Sequence, residues 1–575
     1  MKDHSFLQGH RYLWRLPHAD TQRIADGAAH FNVSFAIIQT LLNRGFHSYD
    51  EIQDFLFSTS DKDVAHASRM KDADKAVDRI QRAIAHQEKI LIFGDYDVDG
   101  ITSSALMMIC LLPLDAQVNF FLPHRVRDGY GLSTKAVARA AANGYTVIIT
   151  VDNGITAFEP ALKAKELGID LIITDHHRPH DHVPDAYAIV NPNQFDCEYP
   201  FKGFAGVGVT FKILSLLYER MGLSLPAKAY ELLLLGTVAD VVPLLKENRF
   251  WVRHCLSYVN KSESKSLQVL KKNGNVTRPV ISATDIGFSI APQINALGRL
   301  EDPRQGVKFL IGSDVQEVEE VGVILHELNQ ARRAIERSIF ESIQQQVANK
   351  TIDLERDRVI IATSNAWPPG VIGLVASRVV AAYGRPTLLF HITADGIAKG
   401  SCRSIAEFNM FDALHANREH ILQFGGHSQA AGLSLKVENL PKLKAGLEQL
   451  IATQLTEFDL TQKLVLDAHV NLADLTQKFV TDLSYLEPFG NQNYAPVFFI
   501  QGVTLVQKPV LLKDAHVKCM IFADGVVKPV IFFNRPELFE ILSHQHDAFC
   551  VAAQVVENHW NGRVNVELTG IDIAV

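Results

Sequence analysis

From residue 89 onward, short apolar runs alternate with amphipathic segments. Residues 90–93 form an apolar run that ends at a glycine, within a strand predicted over 89–93. Continuous apolar runs of this length, closed by turn residues, suit strands covered on both faces. The same pattern predicts strands over 117–122, 146–151, 170–174 and 186–190. Between them, helical spacing predicts helices over 104–112, with Thr102 and Ser103 as candidate N-caps, over 133–143 and over 157–167. This rhythm predicts an α/β domain over 86–300, an open parallel sheet with helices on its faces. Residues 1–85 read as helical, with amphipathic segments over 35–42 and 73–85, and are assigned to the same domain as its N-terminal part.

Beyond residue 300 the pattern changes twice. Residues 301–350 are charge-rich and helical, a solvated linker helix. A second α/β segment over 351–455 carries strands over 358–362 and 385–390. From 460 to 575 the pattern turns to short strands, over 463–470, 497–505, 515–523, 528–533, 548–557 and 563–573. That rhythm predicts a small β-barrel of the OB type.

Composition narrows the setting. At 575 residues the chain is too long for one core, and three or four domains are expected. Hydrophobic residues at 47% and charged residues at 21% describe a soluble globular protein. Six cysteines are scattered without a CxxC pair, which excludes a structural zinc framework and fits a reducing, cytoplasmic setting. The first residues lack the apolar core of a signal peptide. The longest mostly apolar segment, 370–384, is too short to cross a bilayer and contains Arg378, so no membrane is expected. A net charge of −8 does not announce a nucleic-acid binder, so any phosphate-binding surface must be a local groove.

The acids carry the chemistry. Asp95, Asp97 and Asp99 follow the first strand at every second position, in Gly94-Asp95-Tyr96-Asp97-Val98-Asp99-Gly100. On extended backbone they share one side, where their mutual repulsion calls for a cation. Oxygen ligands suit magnesium or manganese. Taken alone, the stretch reads equally as an acidic surface turn. Asp152 follows another strand, and Asp175-His176-His177 a third. Open α/β sheets bind ligands at the carboxyl ends of their strands, so these residues converge on one crevice. Asp240 follows an apolar helical run over 232–238; by composition alone, such an aspartate is more often a cap or core hydrogen-bonder than a ligand. Further on, the glycine-rich stretches around Gly370-Val371-Ile372-Gly373, Gly400 to Ser404 and Gly425 to Gly432 let backbone amides approach an anion, with Arg378, Arg403 and His427 nearby in sequence. In the barrel, Phe532, Phe533, His559 and Trp560 are candidates for base stacking, although phenylalanines taken singly are more often core.

Asp95 to Gly100, Val151-Asp152-Asn153-Gly154, Asp175-His176-His177 and Thr237-Val238-Ala239-Asp240 occur in the order and spacing of the DHH phosphoesterase superfamily. Gly425-Gly426-His427 through Gly432 resembles the signature of its DHH-associated domain. Pro123-His124-Arg125, Gly129-Tyr130-Gly131, Asn295-Ala296-Leu297-Gly298-Arg299 and Leu486-Glu487-Pro488-Phe489-Gly490 are similar to the superfamily's bacterial single-strand-specific 5′-to-3′ DNA exonucleases. The resemblance runs from about residue 60 to the end. It implies two divalent metals, manganese or magnesium, held by Asp95, Asp97, Asp152, His176 and Asp240, with Asp152 bridging. It implies that His177 lies near the scissile phosphate and that Asp99 and Asp175 support the site. Arg125, Arg299, Arg378, Ser401, Arg403 and His427 match positions that hold nucleic-acid phosphates. One departure is Phe93, where several members carry a histidine; one metal is then expected to have one protein ligand fewer. The implied function is 5′-end degradation of single-stranded DNA to mononucleotides in recombination, mismatch and base-excision repair. The implied protein is a monomer, with a single-strand-binding protein and a RecQ-type helicase as partners. Two other readings stay open here: an oligoribonuclease or cyclic-dinucleotide phosphodiesterase of the same superfamily, and a non-catalytic DNA-binding scaffold.

Overall fold

A computed structural model describes residues 5–57, 61, 64–124, 127–312, 314–560 and 563–575, without the side chains of 559, 560, 563 and 564. The chain forms two compact units. One comprises Thr59–Ala334 with Pro488–Tyr494; the other comprises Met1–Ser58, Ile335–Glu487 and Ala495–Val575.

The first unit is built on a parallel sheet of β1 (Ile90–Gly94), β2 (Val118–Phe121), β3 (Val147–Val151), β4 (Asp170–Thr174) and β5 (Ala188–Val190), in the order β2-β1-β3-β4-β5. Both faces are covered. Ile90 and Ile92 enter one apolar cluster, while Leu91 and Phe93 enter another with Val137, Ile148 and Ile173. That is why these strands read as continuous apolar runs rather than alternations. Helices α1 (Val98–Leu111), α2 (Thr134–Ala142), α3 (Phe158–Glu166), α4 (Gly206–Arg220) and α5 (Ala227–Ala239) pack around the sheet. α1 is buried along nearly its whole length, which explains its weak amphipathicity. At the amino ends of the strands, the buried Arg79 guanidinium bonds Glu88 at 2.6 Å and Asp170 at 2.5 Å, so its charge is paired where it is desolvated.

α1 begins six residues before the expected helix start. Asp97 is its N-cap, its carboxylate accepting from the amides of Asp99 (3.0 Å) and Gly100 (3.1 Å). Asp97 keeps extended backbone (φ −90°, ψ −175°) and shares a side with Asp95, as expected, whereas Asp99 departs from the expectation and sits in the first helical turn. Acids satisfy the free amides and the positive end of the helix dipole, and that preference wins over strand continuation. The expected linker helix also divides. One helix spans Arg304–Ile311 and stops at Gly312 (φ 68°), and a second runs Val315–Ala348.

In the second unit, a five-stranded sheet contains β6 (Ile360–Ser364), β7 (Thr387–Ile392), β8 (Ile397–Arg403), β9 (Gln423–Gly426) and β10 (Ala430–Lys436), ordered β9-β10-β8-β7-β6. A second sheet of this unit closes through pairing of Phe498–Leu505 with both Phe549–Trp560 and His516–Ala523, which gives the OB-like barrel. Residues 5–58, expected in the sheet domain, belong here. Strand Leu13–Arg15 pairs in parallel with Lys463–Val465, and the indole Nε1 of the fully buried Trp14 donates to Asp572 at 3.0 Å. Pairing across so long a sequence separation has no local signature.

Candidate metal centre

The carboxyl ends of β1, β3 and β4 and the end of α5 bring the acids together. Asp95 follows β1 and is 4% exposed; Asp152 follows β3 and is 2% exposed. Their ligand atoms, with that of Asp97, lie within 4.8 Å of one another. A second group joins Asp99, His176 and Asp240 at the same spacing, and a third Asp152, His176 and His177. Asp152 thus belongs both with the Asp95–Asp97 pair and with the histidines. The approach is close enough to dictate glycine at two positions. A Cβ on Gly100 would lie 2.4 Å from the Asp95 carbonyl oxygen, and one on Gly206 would lie 2.6 Å from Asp152 Cβ.

His176 is the hub of the second group. Its Nε2 lies 3.2 Å from Asp152 Oδ1, 3.6 Å from Asp240 Oδ2 and 3.9 Å from Asp99 Oδ2. The ring bonds the Phe204 backbone, which leaves the Nε2 lone pair facing the carboxylates. Nε2 and Asp152 Oδ1 are both buried, and neither makes a hydrogen bond. Buried polar atoms that converge without hydrogen bonds are costly unless a cation sits among them. The donor set of carboxylates and one imidazole fits a hard divalent ion, so these residues fit the metals that the sequence implies.

Electrostatics point the same way. Burial, then the charges of Asp99 and Asp97, hold the Asp152 carboxyl well above its usual range. Asp240 is displaced upward for the same reasons. Burial and Asp97 push Asp99 up to about 7, although its carboxylate accepts from the amides of Gly206 (2.6 Å) and Val207 (2.7 Å). Both Asp99 oxygens are thereby committed to the start of α4. Burial and the neighbouring His177 lower His176 to about 4.

Asp175 and His177 form a separate couple. Asp175 Oδ1 accepts from His177 Nδ1 at 2.7 Å and from the amides of His176 (2.7 Å) and His177 (3.0 Å); Oδ2 accepts from Ile155 N at 2.9 Å. Burial opposes charge on both partners, but the bond outweighs it. Asp175 falls to about 2 and His177 rises to about 9. The outer edge of the His177 ring remains accessible, its side chain 40% exposed.

A model of the DHH family, N-terminal domain, matches residues 89–237; a DHHA1 domain model matches 356–453, and a RecJ OB domain model matches 466–572. The single-stranded-DNA-specific exonuclease RecJ of Bacillus subtilis is 35% identical over 564 residues, 98% of this chain and 71% of the relative. The chain belongs to the RecJ family. RecJ of Escherichia coli is 33% identical over 83% of this chain and 85% of its own. The crystal structure of RecJ in complex with Mn2+ from Thermus thermophilus superimposes with a TM-score of 0.82 at 27% identity, covering 97% of this chain and 79% of that one. A crystal structure of exonuclease RecJ bound to manganese superimposes with a TM-score of 0.59 at 32% identity, covering 68% of this chain and 98% of the other.

Within this RecJ-family chain, the remaining expected site residues fall as follows. Arg299 is half-buried at the end of helix Ala291–Leu300 in the first unit. Arg125 lies outside the described residues. Arg378, Ser401, Arg403 and His427 belong to the second unit. There, Arg403 donates to Ser401 Oγ at 3.2 Å, both on β8 beside Gly373 of helix Pro369–Tyr383. Arg378 instead lies over the Phe340 ring, 4.0 Å from its centroid, and His427 is exposed in the β9–β10 turn. Phe532 is fully buried against Gly570, so it is barrel core and not a stacking platform; Phe533 is 51% exposed. The side chains of His559 and Trp560 lie outside the description. Phe93 packs on Phe121 with ring centroids 5.6 Å apart and is buried in the apolar cluster of Leu91, Val137 and Ile173.

Three contributors escape a reading of acids and glycines. The ring of Tyr130, a residue 52% exposed overall, makes edge contacts with His177 and Tyr96, and desolvation at its inner end plus Asp175, Asp152, Asp95 and Asp97 raise its phenol. Asn191 Nδ2 donates to the His177 carbonyl at 2.8 Å, and Asn193 Nδ2 to the His176 carbonyl at 2.6 Å. The sequence Asn191-Pro192-Asn193 directly after a strand was the available signal, since asparagines beside a proline build turns.

Proposed function

We propose that this chain is a two-metal phosphodiesterase that degrades single-stranded DNA from its 5′ end and releases mononucleotides. The observation that carries the reading is the sharing of the buried Asp152 between two ligand groups at the carboxyl edge of a parallel sheet. In this reading Asp95, Asp97 and Asp152 hold one ion, and Asp152, His176 and Asp240 the other. Bound there, divalent ions supply activation of water and neutralisation of charge on the phosphodiester. Asp99 anchors the start of α4 against the site. Asp175 keeps His177 protonated at neutral pH, with Nδ1 occupied, so that Nε2–H is available to a phosphate or leaving oxygen. Ser401 and Arg403, with Arg299, Arg378, His427 and Arg125, bind the strand's phosphates; Arg403 suits a terminal phosphate because guanidinium presents a planar fork.

The family resemblance extends the reading to recombination and repair, with a single-strand-binding protein and a RecQ-type helicase supplying substrate. All six cysteines are free thiols, which suits a cytoplasmic protein. No helix among the described residues is long and apolar enough to cross a membrane. The test is digestion of one oligonucleotide labelled separately at its 5′ and 3′ ends, single-stranded or annealed, with Mn2+, Mg2+ or EDTA. Immediate release of the 5′ label as mononucleotide, late release of the 3′ label, resistance of the blunt duplex and silence in EDTA are expected. Earlier release of the 3′ label, or turnover in EDTA, would refute the reading.

A further inference from the structure

Asp240 ends α5 with ordinary helical backbone, φ −75° and ψ −6°. The next residue, Val241, has φ +59°. A β-branched side chain crowds the backbone there, so surrounding contacts must hold the chain in place. Those contacts come from Pro488–Tyr494, a short stretch that belongs to the same unit as Thr59–Ala334. Asn491 makes two of them. Its side-chain Nδ2 donates to the Val241 carbonyl at 2.7 Å, and its own carbonyl accepts from Leu244 N at 2.9 Å.

The stretch is itself constrained. Gly490 and Asn493 exchange backbone bonds of 2.9 and 3.1 Å, and Asn493 Nδ2 donates to the Pro488 carbonyl at 2.9 Å. A Cβ on Gly490 would lie 2.5 Å from Leu244 Cδ1, so only glycine lets the loop close on its neighbour. The Tyr494 hydroxyl donates to Asn491 Oδ1 at 3.1 Å, which orients the amide with Nδ2 toward Val241. From the opposite side, Asn248 Nδ2 donates to the Pro243 carbonyl at 3.0 Å. A hydrogen-bonded path therefore runs from Tyr494 through Asn491 to the peptide that follows Asp240.

We propose that Asn491 is a positioning residue for the metal centre: it fixes the Val241 backbone and so holds the Asp240 carboxylate toward His176. The proposal rests on the reading of Asp240 as a metal ligand. Supporting contacts behind metal ligands typically change affinity about 10–100-fold when removed. Asn491→Ala is expected to weaken binding of Mn2+ to the substrate-free protein about ten-fold by calorimetry. The Mn2+ concentration for half-maximal nuclease activity should rise in parallel, with kcat at saturating Mn2+ largely retained. Glycine adopts positive φ freely. Val241→Gly added to Asn491→Ala should therefore restore most of the Mn2+ affinity, which loss of a direct DNA or metal contact by Asn491 does not allow. Tyr494→Phe removes only the hydroxyl that aims the amide, at a 66% exposed residue, and should shift affinity the same way by less. Circular dichroism in EDTA checks folding of each variant. Unchanged Mn2+ affinity in Asn491→Ala, or a loss that Val241→Gly does not restore, overturns the proposal; if Asn491→Ala does not fold, unchanged affinity in Tyr494→Phe overturns it. Asp240→Asn is the separate control: wild-type Mn2+ affinity there overturns the ligand reading itself.

Discussion

Replacing Asp152 with asparagine should stabilise the metal-free protein while abolishing its activity. The ligand oxygens of Asp95, Asp97 and Asp152 lie within 4.8 Å, and Asp152 is 2% exposed. At that separation two carboxylates repel by about 3.5 kcal/mol at an effective dielectric near 20. Two such neighbours could cost Asp152 about 7 kcal/mol, but its raised pKa lets it take up a proton and escape most of that. A net gain of about 1–3 kcal/mol at pH 8 is left for the neutral amide, equivalent to a melting point about 2–5 °C higher for a unit of this size. The backbone gives no opposing penalty, because Asp152 sits at φ +62°, where asparagine is among the best-tolerated residues. Thermal melts in EDTA and in millimolar Mn2+ check this. The variant should melt above wild type in EDTA and below it in Mn2+, because a bound ligand at about 1,000 times its Kd adds about 4.1 kcal/mol to wild type alone. Exonuclease turnover should fall about a thousand-fold or more, since the residue serves both ligand groups. A variant less stable than wild type in EDTA would show that the carboxylates are not strained against one another, and the two-group reading would fail.

Three other outcomes follow from the same geometry. The metal-free protein should lose stability as pH rises from about 6 to 9. The stability that His177 gains from Asp175 is full below 6.5 and lost through about 9, whereas the cost of ionising Asp99 builds from 3.8 and is complete just above 7; Mn2+ should therefore raise the melting point more at pH 8.5 than at pH 6.5. Asp175→Asn turns one acceptor into a donor facing an N–H, so it should cost about 2–3 kcal/mol and lower the His177 pKa toward 6.5, read by NMR titration of that ring; an unchanged His177 titration contradicts the coupling. Phe93→His should cost about 2–4 kcal/mol and leave Mn2+ affinity unchanged, because the side chain is buried on Phe121 in an apolar cluster; tighter Mn2+ binding would show that position 93 does reach the site.

The legibility of this site in sequence has a physical limit. Asp95, Asp152 and Asp175 were readable because a parallel sheet puts strand ends on one edge, and the apolar runs located those ends. The place of Asp99 was not readable, because an acidic stretch after a strand can equally begin a helix, and the amides of Asp99 and Gly100 found an acceptor in Asp97. Asn191, Asn193 and Asn491 act through carbonyls, which carry no residue identity, so no pairing pattern announces them. The docking of residues 5–58 depends on Trp14 meeting Asp572, and no local window contains both.

That last contact has a consequence for synthesis. Trp14 is separated from Asp572 by 558 residues. At about 5–20 residues per second, a ribosome takes about half a minute to two minutes to supply the partner. Over the later part of that time the indole still lacks the carboxylate that receives its N–H, while every strand of the Ile90 to Val190 sheet has already been made. A fully buried tryptophan that waits for the end of its own chain is a natural client surface for a chaperone that holds the nascent polypeptide.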